Sequence, residues 1–112
     1  MKLSVVVPVY NESKNILILL NKIKKNISHD DEIIVVEDGS VDSTLDEIKK
    51  FECKLIVHKK NIGKGQSLID GINLAKGDII LFLDGDGQDD PSEIPKLLDG
   101  INKGYDFVIG SR

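Results

Sequence analysis

The sequence of 112 residues has few aromatic side chains, a single cysteine and no long apolar run. Tryptophan is absent and aromatic residues make up 4% of the chain, so any core must consist mainly of Ile, Leu and Val. Cys53 has no second cysteine for an internal disulfide, and its surroundings indicate a packing role. Because a membrane span needs about 20 apolar residues and the N-terminus lacks a cleavable signal, we expect a cytoplasmic chain.

The chain also lacks an excess of basic residues. A net charge of -4 and a pI of about 5.1 argue against a nucleic-acid binder, which would present a basic face. The length suits one domain over residues 1–112, and 40% hydrophobic residues suffice for a core. The two histidines, His29 and His58, stand apart in the sequence, and we expect surface or packing roles for them rather than ligation.

Short apolar segments alternate with amphipathic ones along the whole chain. The apolar segments predict strands at 3–9, 32–37, 54–58, 79–83 and 105–110. The first helix is predicted from about residue 12 to 26 with Asn11 as its N-cap, and Ser43 with Asp46 resembles a capping box. The last helix is predicted to begin at Asp90 or, because Pro95 interrupts the first turn, at Pro95. This order predicts an α/β fold, with a mostly parallel sheet and helices on both faces.

Polar residues follow every predicted strand, at positions 10–12, 38–40, 61–65, 84–90 and 111–112. In open parallel sheets, ligands bind beyond the carboxyl ends of the strands, near the switch in strand order. The segment 38–40 taken alone is equally consistent with a simple turn. The convergence of all five segments on one edge of the sheet predicts a binding site there.

The segment after the fourth strand carries Asp84, Asp86, Asp89 and Asp90 within seven residues. Carboxylates this close repel one another unless a cation lies between them. Asp86 and Gln88 are two positions apart and offer hard oxygen ligands, which suit Mg²⁺, Mn²⁺ or Ca²⁺ rather than zinc. An EF-hand is excluded because Asp89 stands where its central glycine is required. The alternative is a solvated acidic turn.

The segment Asn61-Ile62-Gly63-Lys64-Gly65 is a glycine-rich loop before a predicted helix. Its glycines would let backbone N–H groups approach a phosphate, and Lys64 adds a positive charge. Leu68 stands where the dinucleotide fingerprint has its third glycine, and the P-loop pattern is also absent. The alternative is a loop without a ligand.

Four segments in this order resemble the family 2 glycosyltransferases with a GT-A fold, and most closely the polyprenyl-phosphate (dolichyl-phosphate) sugar transferases. They are Val-Pro-Val-Tyr-Asn-Glu at 7–12, Val-Glu-Asp-Gly-Ser-Val-Asp-Ser-Thr at 36–44, the loop at 61–65, and Asp-Gly-Asp-Gly-Gln-Asp-Asp-Pro at 84–91. Glu37 replaces the usual Asp, and Gly87 replaces a bulky residue. The family continues well beyond Arg112, so the resemblance implies a Rossmann-like nucleotide-sugar-binding half, truncated at the C-terminus.

The resemblance implies a role for each matching position. The base and ribose would be lined by Pro8, Tyr10 and Glu12, and Asp38 would contact one or the other. Lys64 would lie near the nucleotide, and Asp84 would contact the ribose or the surroundings of the metal. The metal, Mg²⁺ or Mn²⁺, would be bound by Asp86 and Gln88, and Arg112 would face phosphates. Of these substrate-binding residues, Asp86 and Arg112 would also be catalytic.

The implied reaction is a metal-dependent, inverting transfer of a sugar from a UDP- or GDP-sugar to an acceptor. A polyprenyl phosphate is the expected acceptor, which would place the protein at the membrane periphery. The main alternative is a catalytically incomplete nucleotide-sugar-binding module. A half-domain would expose an apolar edge, which predicts self-association or a partner that supplies the acceptor half.

Two other classes share part of the pattern. Haloacid dehalogenase-type phosphatases also contain Asp-Gly-Asp, but they require a Thr or Val near Gln88 and a longer chain. Receiver domains share the topology, but they need an Asp after the third strand, where Lys59 and Lys60 stand.

Overall fold

The computed structural model describes residues 2–85 and 90–102. Strands and helices alternate along them, in the order β1 (Leu3–Val9), α1 (Ile16–Lys25), β2 (Glu32–Asp38), α2 (Thr44–Ile48), β3 (Lys54–His58), α3 (Lys64–Leu74), β4 (Ile79–Phe82), a 3-10 turn (Pro91–Glu93) and α4 (Ile94–Asn102). The predicted strand at 105–110 lies outside the described residues. No helix in the two described ranges has the length and apolar character needed to cross a membrane.

The four strands form one parallel sheet in the order β3-β2-β1-β4. Val6 of β1 pairs with Ile34 on one side and with Phe82 on the other. The chain therefore adds strands in one direction from β1 to β3 and then crosses back to place β4 on the opposite side of β1. This reversal is the switch point at which parallel sheets bind ligands, and the predicted parallel α/β fold is confirmed.

Helices cover both faces of the sheet because successive side chains of a strand point to opposite faces. Val5, Val7 and Val9 belong to the larger core cluster. The helical residues of this cluster come from α1, α2 and α4: Ile16, Leu19, Leu20, Ile23, Ile48 and Ile94. On the other face, Val6 belongs to a smaller cluster against which Leu68 of α3 packs. The β-branched strands are buried on both sides, as a parallel sheet requires.

Helix α3 packs unusually closely on the sheet. A Cβ atom added at Gly71 would lie 2.4 Å from Cγ1 of Val6. Ser67 is the second fully buried residue of the helix, whereas Ile69 and Ile72 are exposed. The small residue Gly71 therefore allows α3 to lie close against β1, beside the packing of Leu68 on the same cluster.

Helix α1 begins later than predicted, at Ile16. Asn11 was expected to cap this helix, and that expectation is wrong. Its φ angle is +53°, and its side-chain Oδ1 accepts a hydrogen bond of 2.9 Å from the backbone N–H of Val41. The side chain of Asn11 binds the loop after β2 and is therefore not available to its own helix.

Two other helix starts show how local hydrogen bonds decide boundaries. Ser43 precedes α2 but makes no side-chain cap bond, so the predicted capping box with Asp46 does not form. The backbone N–H of Thr44 donates to the Asp42 carboxylate. Asp90 accepts a bond of 3.0 Å from the N–H of Ser92, which starts the 3-10 turn before α4. The predicted start signal at Asp90 is confirmed for the turn.

Candidate functional site

A cavity of about 320 Å³ opens at the carboxyl ends of the strands. Its lining comes from the ends of β1 and β2, the segments after β1, β3 and β4, and the start of α3. It consists of Pro8, Val9, Tyr10, Glu12, Asp38, Asn61, Gly63, Lys64, Ser67, Asp84 and Gly85. Six of the predicted substrate-binding residues are therefore together in one cavity, namely Pro8, Tyr10, Glu12, Asp38, Lys64 and Asp84. The roles of these six residues remain predictions. Asp86, Gln88 and Arg112 lie outside the described residues.

The segment after β4 crosses the end of β1 at very short distance. The N–H of Gly85 donates to the carbonyl of Pro8 over 3.2 Å. A Cβ atom at Gly85 would lie 2.8 Å from Cγ2 of Val9, so only glycine fits here without displacement. This close approach brings Asp84 to the cavity wall beside the residues that follow β1.

The loops after β1 and β2 are joined by hydrogen bonds in both directions. The N–H of Asn11 donates to Oγ of Ser40 over 2.8 Å, and the side chain of Asn11 accepts from Val41. The N–H of Glu12 donates to Oγ1 of Thr44, also over 2.8 Å. These bonds fix the backbone that carries Tyr10 and Glu12 into the cavity, and Tyr10 is 44% exposed there.

The carboxylate of Asp38 is buried and accepts hydrogen bonds from four groups. Oδ1 accepts from His58 Nδ1 at 2.8 Å and from the N–H of Ile62 at 3.0 Å. Oδ2 accepts from the N–H of Gly63 at 3.0 Å and from Asn61 Nδ2 at 3.1 Å. Because a carboxylate has about four acceptor positions, these donors occupy its whole capacity. Asp38 therefore shapes the cavity by holding the glycine-rich loop.

The hydrogen bonds also decide the charge of Asp38. Burial favours its neutral form, but hydrogen bonds from the backbone of Ile62, from His58 and then from the backbone of Gly63 lower its pKa below the usual range. The negative charge is balanced by donors that belong to the β3–α3 loop. At neutral pH the ionised carboxylate of Asp38 therefore holds the glycine-rich loop through these hydrogen bonds.

His58 is the main residue that the sequence analysis misjudged, because it does more than pack. Its side chain is 10% exposed, and its second ring nitrogen, Nε2, lies 2.8 Å from Oδ2 of Asp70. The two carboxylates raise the pKa of His58, and burial opposes them less strongly. The strand register pairs Asp38 with His58. The contact between these two residues could therefore have been anticipated from their positions at the ends of neighbouring parallel strands.

Two glycines near the cavity have positive φ angles. Gly39 has φ +75°, and a Cβ atom there would lie 2.3 Å from the backbone carbon of Lys60. Gly63, immediately before α3, has φ +107°. L-residues rarely adopt either conformation, so both turns depend on glycine.

Lys64 and Asp84 form an ion pair between opposite sides of the cavity. The side chain of Lys64 is 57% exposed and that of Asp84 is 21% exposed. Lys64 begins α3, where the helix dipole also favours an anion. Lys64 and the start of α3 therefore place positive charge beside the carboxylates of Asp38 and Asp84 in the cavity lining.

The predicted metal ligands Asp86 and Gln88 lie between Gly85 and Asp90, outside the described residues. Within residues 2–85 and 90–102, no group of three or more His, Cys, Asp or Glu side chains could hold a metal ion. The donor chemistry of an aspartate and a glutamine nevertheless fits a hard cation such as Mg²⁺ or Mn²⁺. The segment that would contain them begins at the cavity wall, directly after Gly85.

Comparison with known proteins supports the resemblance found in the sequence. The family model described as "Glycosyl transferase family 2" matches residues 4–112. A dolichol-phosphate mannosyltransferase of Pyrococcus furiosus is 38% identical, and the alignment covers 100% of this chain and 33% of that protein. An undecaprenyl-phosphate 4-deoxy-4-formamido-L-arabinose transferase of Proteus mirabilis is 39% identical over 99% of this chain and 36% of its own length. The chain thus spans about a third of these relatives.

Solved structures share the architecture. S. aureus TarS in complex with UDP-GlcNAc superimposes with a TM-score of 0.79 at 31% identity, covering 92% of this chain and 32% of that one. The mannosyltransferase PcManGT from Pyrobaculum calidifontis, in complex with GDP-Man and Mn²⁺, gives a TM-score of 0.70 at 26% identity over 75% of this chain and 27% of that one. The family match, the sequence identities and the shared architecture agree: the chain belongs to glycosyl transferase family 2.

Proposed function

We propose that the cavity binds a nucleoside-diphosphate sugar and that the chain is the donor-binding part of a glycosyltransferase. One observation carries this proposal. Six residues that the resemblance assigns to the donor come from different strand ends, loops and a helix start and line a single cavity at the switch point of the sheet.

The electrostatics of the cavity suit a diphosphate. Lys64 extends from the first position of α3, and no side chain caps this helix at Gly63. The first N–H groups of a helix and its dipole attract anions. A diphosphate at this wall would be bound by Lys64 and the helix N-terminus, and its sugar would lie toward Asp84 and Glu12.

The relatives support a nucleotide-sugar donor and a lipid-phosphate acceptor. The TarS structure contains UDP-GlcNAc, and the PcManGT structure contains GDP-Man with Mn²⁺. The names of two relatives specify dolichol phosphate and undecaprenyl phosphate. For this chain we infer a UDP- or GDP-sugar as donor and a polyprenyl phosphate as acceptor, with the protein acting at the membrane periphery.

In the proposed reaction, an acceptor oxygen attacks the anomeric carbon with inversion, and the nucleoside diphosphate leaves. A phosphate acceptor is already anionic and needs little help from a general base. Lys64 and Arg112 would stabilise the charge that accumulates on the leaving diphosphate. Asp86 and Gln88 would hold Mg²⁺ or Mn²⁺, which when bound supplies further charge neutralisation at the diphosphate.

Calorimetric titration of the chain with UDP-glucose and GDP-mannose, first with Mn²⁺ and then with a chelator, tests the proposal. We expect one donor to bind, and we expect Lys64→Met to weaken binding about 10- to 150-fold, because it removes a charged contact worth roughly 1.5–3 kcal/mol. Lys50→Met is the matched control, since Lys50 pairs with Glu47 on the surface and does not belong to the described cavity lining. Failure of the folded wild-type chain to bind either donor would contradict the proposal.

A second candidate is a donor-binding module without transfer activity, because the residues that line the described cavity are ones that the resemblance assigns to the donor. The same titration would show donor binding in both cases. A transfer assay with a polyprenyl phosphate separates them: sugar-phospholipid formation supports the transferase, and its absence alongside normal binding supports the module.

A further inference from the structure

The ring of His58 lies between carboxylates from two different elements. Nδ1 contacts Asp38 at the end of β2, and Nε2 contacts Asp70 in α3, each at 2.8 Å. The transfer reaction proposed above uses neither His58 nor Asp70. The ring is nevertheless held between β2 and α3, because it lies at the end of β3 and each of its two nitrogens contacts a carboxylate from one of these elements.

The contacts continue from the ring in both directions. Toward the cavity, Asp38 holds the N–H groups of Ile62 and Gly63. Away from it, Asp70 lies six residues after Lys64 in the same helix and also accepts from Gln66 Nε2 at 2.9 Å. His58 thus connects the carboxylate that shapes the glycine-rich loop to the body of the helix that begins with Lys64.

The double contact depends on the protonation of the ring. A neutral imidazole has one N–H donor, whereas the imidazolium has two. The ionisable groups in contact with the ring are Asp38 from β2 and Asp70 from α3, both acidic, and the lysines that follow His58 at 59 and 60 are exposed. Because both carboxylates raise the pKa of His58, the bridge is complete below the ordinary pKa of histidine and is lost as the pH rises through the raised value.

The two carboxylates differ in how easily each can lose its hydrogen bond to the ring of His58. The side chain of Asp38 is 6% exposed, whereas that of Asp70 is 30% exposed. Water can replace the ring at Asp70 more easily than at Asp38. A neutral ring therefore keeps its proton toward Asp38 and releases Asp70, which removes the side-chain contact between α3 and the end of β3.

We propose that His58 is a positioning residue for donor binding, which acts by bridging Asp38 and Asp70 and so fixing the N-terminus of α3 against the cavity. This inference rests on the proposed function, since it assigns the donor to that cavity. Loss of the bridge at alkaline pH would loosen the wall that carries Lys64 and weaken binding of a nucleoside diphosphate.

Titration with UDP and GDP in the presence of Mg²⁺, at intervals from pH 6 to pH 9, tests the inference. We expect the wild-type affinity to fall about three- to tenfold over this range, as coupling through a positioning residue allows. His58→Gln should bind more weakly at low pH and show a flattened profile. His29→Gln is the matched control, because His29 is the other of the two histidines in the chain and its side chain is 94% exposed. This variant should reproduce the wild-type profile.

Asp70→Asn provides a second variant that should fold in any event, because the side chain is partly exposed. Its amide can accept from a ring N–H or donate to a neutral ring nitrogen, so the pH dependence should shrink while binding persists. Nitrogen NMR should show both ring nitrogens of His58 protonated near pH 6.5 in the wild type.

The outcomes separate the two proposals. Nucleotide binding with identical pH profiles in the wild type and His58→Gln, or a ring of His58 that is neutral near pH 6.5, would overturn the positioning role and leave the proposed function intact. Absence of nucleotide binding by the wild type at every pH would overturn the proposed function, and the role of His58 in donor binding would fall with it.

Discussion

The two ends of β2 each bury a carboxylate, but their surroundings differ. Glu32 at the start of the strand accepts from Oγ of Ser4 at 2.5 Å and from the N–H of Lys76 at 2.7 Å, and Lys54 Nζ lies 2.6 Å away. Asp38 at the end of the strand accepts from His58 and from groups of the glycine-rich loop. The negative charge of Glu32 is balanced by Lys54, whereas the negative charge of Asp38 lies against the titratable ring of His58.

Because of this difference, we expect Glu32 to contribute to the stability of the fold and Asp38 to contribute also to the geometry of the candidate site. The partners of Glu32 join the starts of three strands and the end of α3, on the edge of the sheet opposite the candidate site. The partners of Asp38 include the loop that lines the cavity. A change at Glu32 should therefore affect the free energy of unfolding alone, whereas a change at Asp38 should affect both unfolding and ligand binding.

The largest expected effect comes from Asp38→Asn. An amide would direct its NH₂ group at N–H donors in a buried site, and we expect the free energy of unfolding to fall by about 4 kcal/mol. Glu32→Gln should cost less, about 3 kcal/mol, because the lysine it leaves is 38% exposed. Urea denaturation measures both values, and nucleotide titration should detect a change only in Asp38→Asn. Equal effects of the two variants on nucleotide binding would contradict the comparison.

Acid titration should reveal the contribution of Glu32. Burial opposes ionisation of this group, but the hydrogen bond from Lys54 and those from Lys76 and Ser4 lower its pKa to about 2. A carboxyl whose pKa is lowered in the folded state stabilises the protein above its unfolded pKa, and this stability is lost as the pH falls through the folded pKa. We expect a loss of about 3 kcal/mol between pH 5 and pH 2.

Unfolding measured over this acid range in Glu32→Gln gives the control. The variant should lack this part of the acid dependence, and the part that remains should include the contribution of Asp38, whose pKa is also lowered. An unchanged acid profile would show that the contacts of Glu32 do not stabilise its charged form.

Glycine substitutions provide a smaller and more local comparison. Gly39→Ala should cost about 2 kcal/mol, because φ is +75° and the new Cβ would meet the backbone of Lys60. Gly77→Ala should cost a similar amount, since its Cβ would lie 2.7 Å from the backbone nitrogen of Ser4. Only Gly39→Ala should also weaken nucleotide binding. Thermal unfolding and calorimetry of the two variants measure the two effects.

Gly65→Ala is the matched control for these two variants. Among residues 2–85 and 90–102, no atom outside the adjacent residues and the nearby helix backbone lies within 4 Å of its added Cβ, and the residue is in α3. Because alanine is the better helix former, stability should rise by roughly 0.5–1 kcal/mol. A loss of stability in this variant would mean that glycine substitutions here are costly for reasons other than the contacts described.

The fold could be predicted because strong local signals agreed with the tertiary structure. The apolar run at 3–9 matches β1, and 54–58 matches β3 at both ends. The start of α1 could not be predicted, because the hydrogen bonds of Asn11 with Ser40 and Val41 depend on a contact between two loops. Local capping rules contain no information about such a contact.

The candidate site shows the same limit. Grouping of polar residues after the strands predicted a cavity at one edge of the sheet, because parallel strands end there, and Tyr10, Asp38 and Lys64 do lie together in it. The contacts of Asp38 and Asp70 with His58 depend on strand register and helix placement. Neither residue type nor spacing revealed that the ring has a carboxylate on each side. The roles of Asp86, Gln88 and Arg112 stay predictions.

The reciprocal bonds between the loops after β1 and β2 have a consequence for engineering donor preference. Asn11 and Ser40 each donate or accept across the gap, so a change of length in one loop misplaces the hydrogen bonds of the other. Loops grafted from a relative with a different donor should therefore be transferred as a pair, with residues 10–12 and 38–44 exchanged as one cassette. Exchange of either loop alone would produce a chimera whose two halves no longer fit.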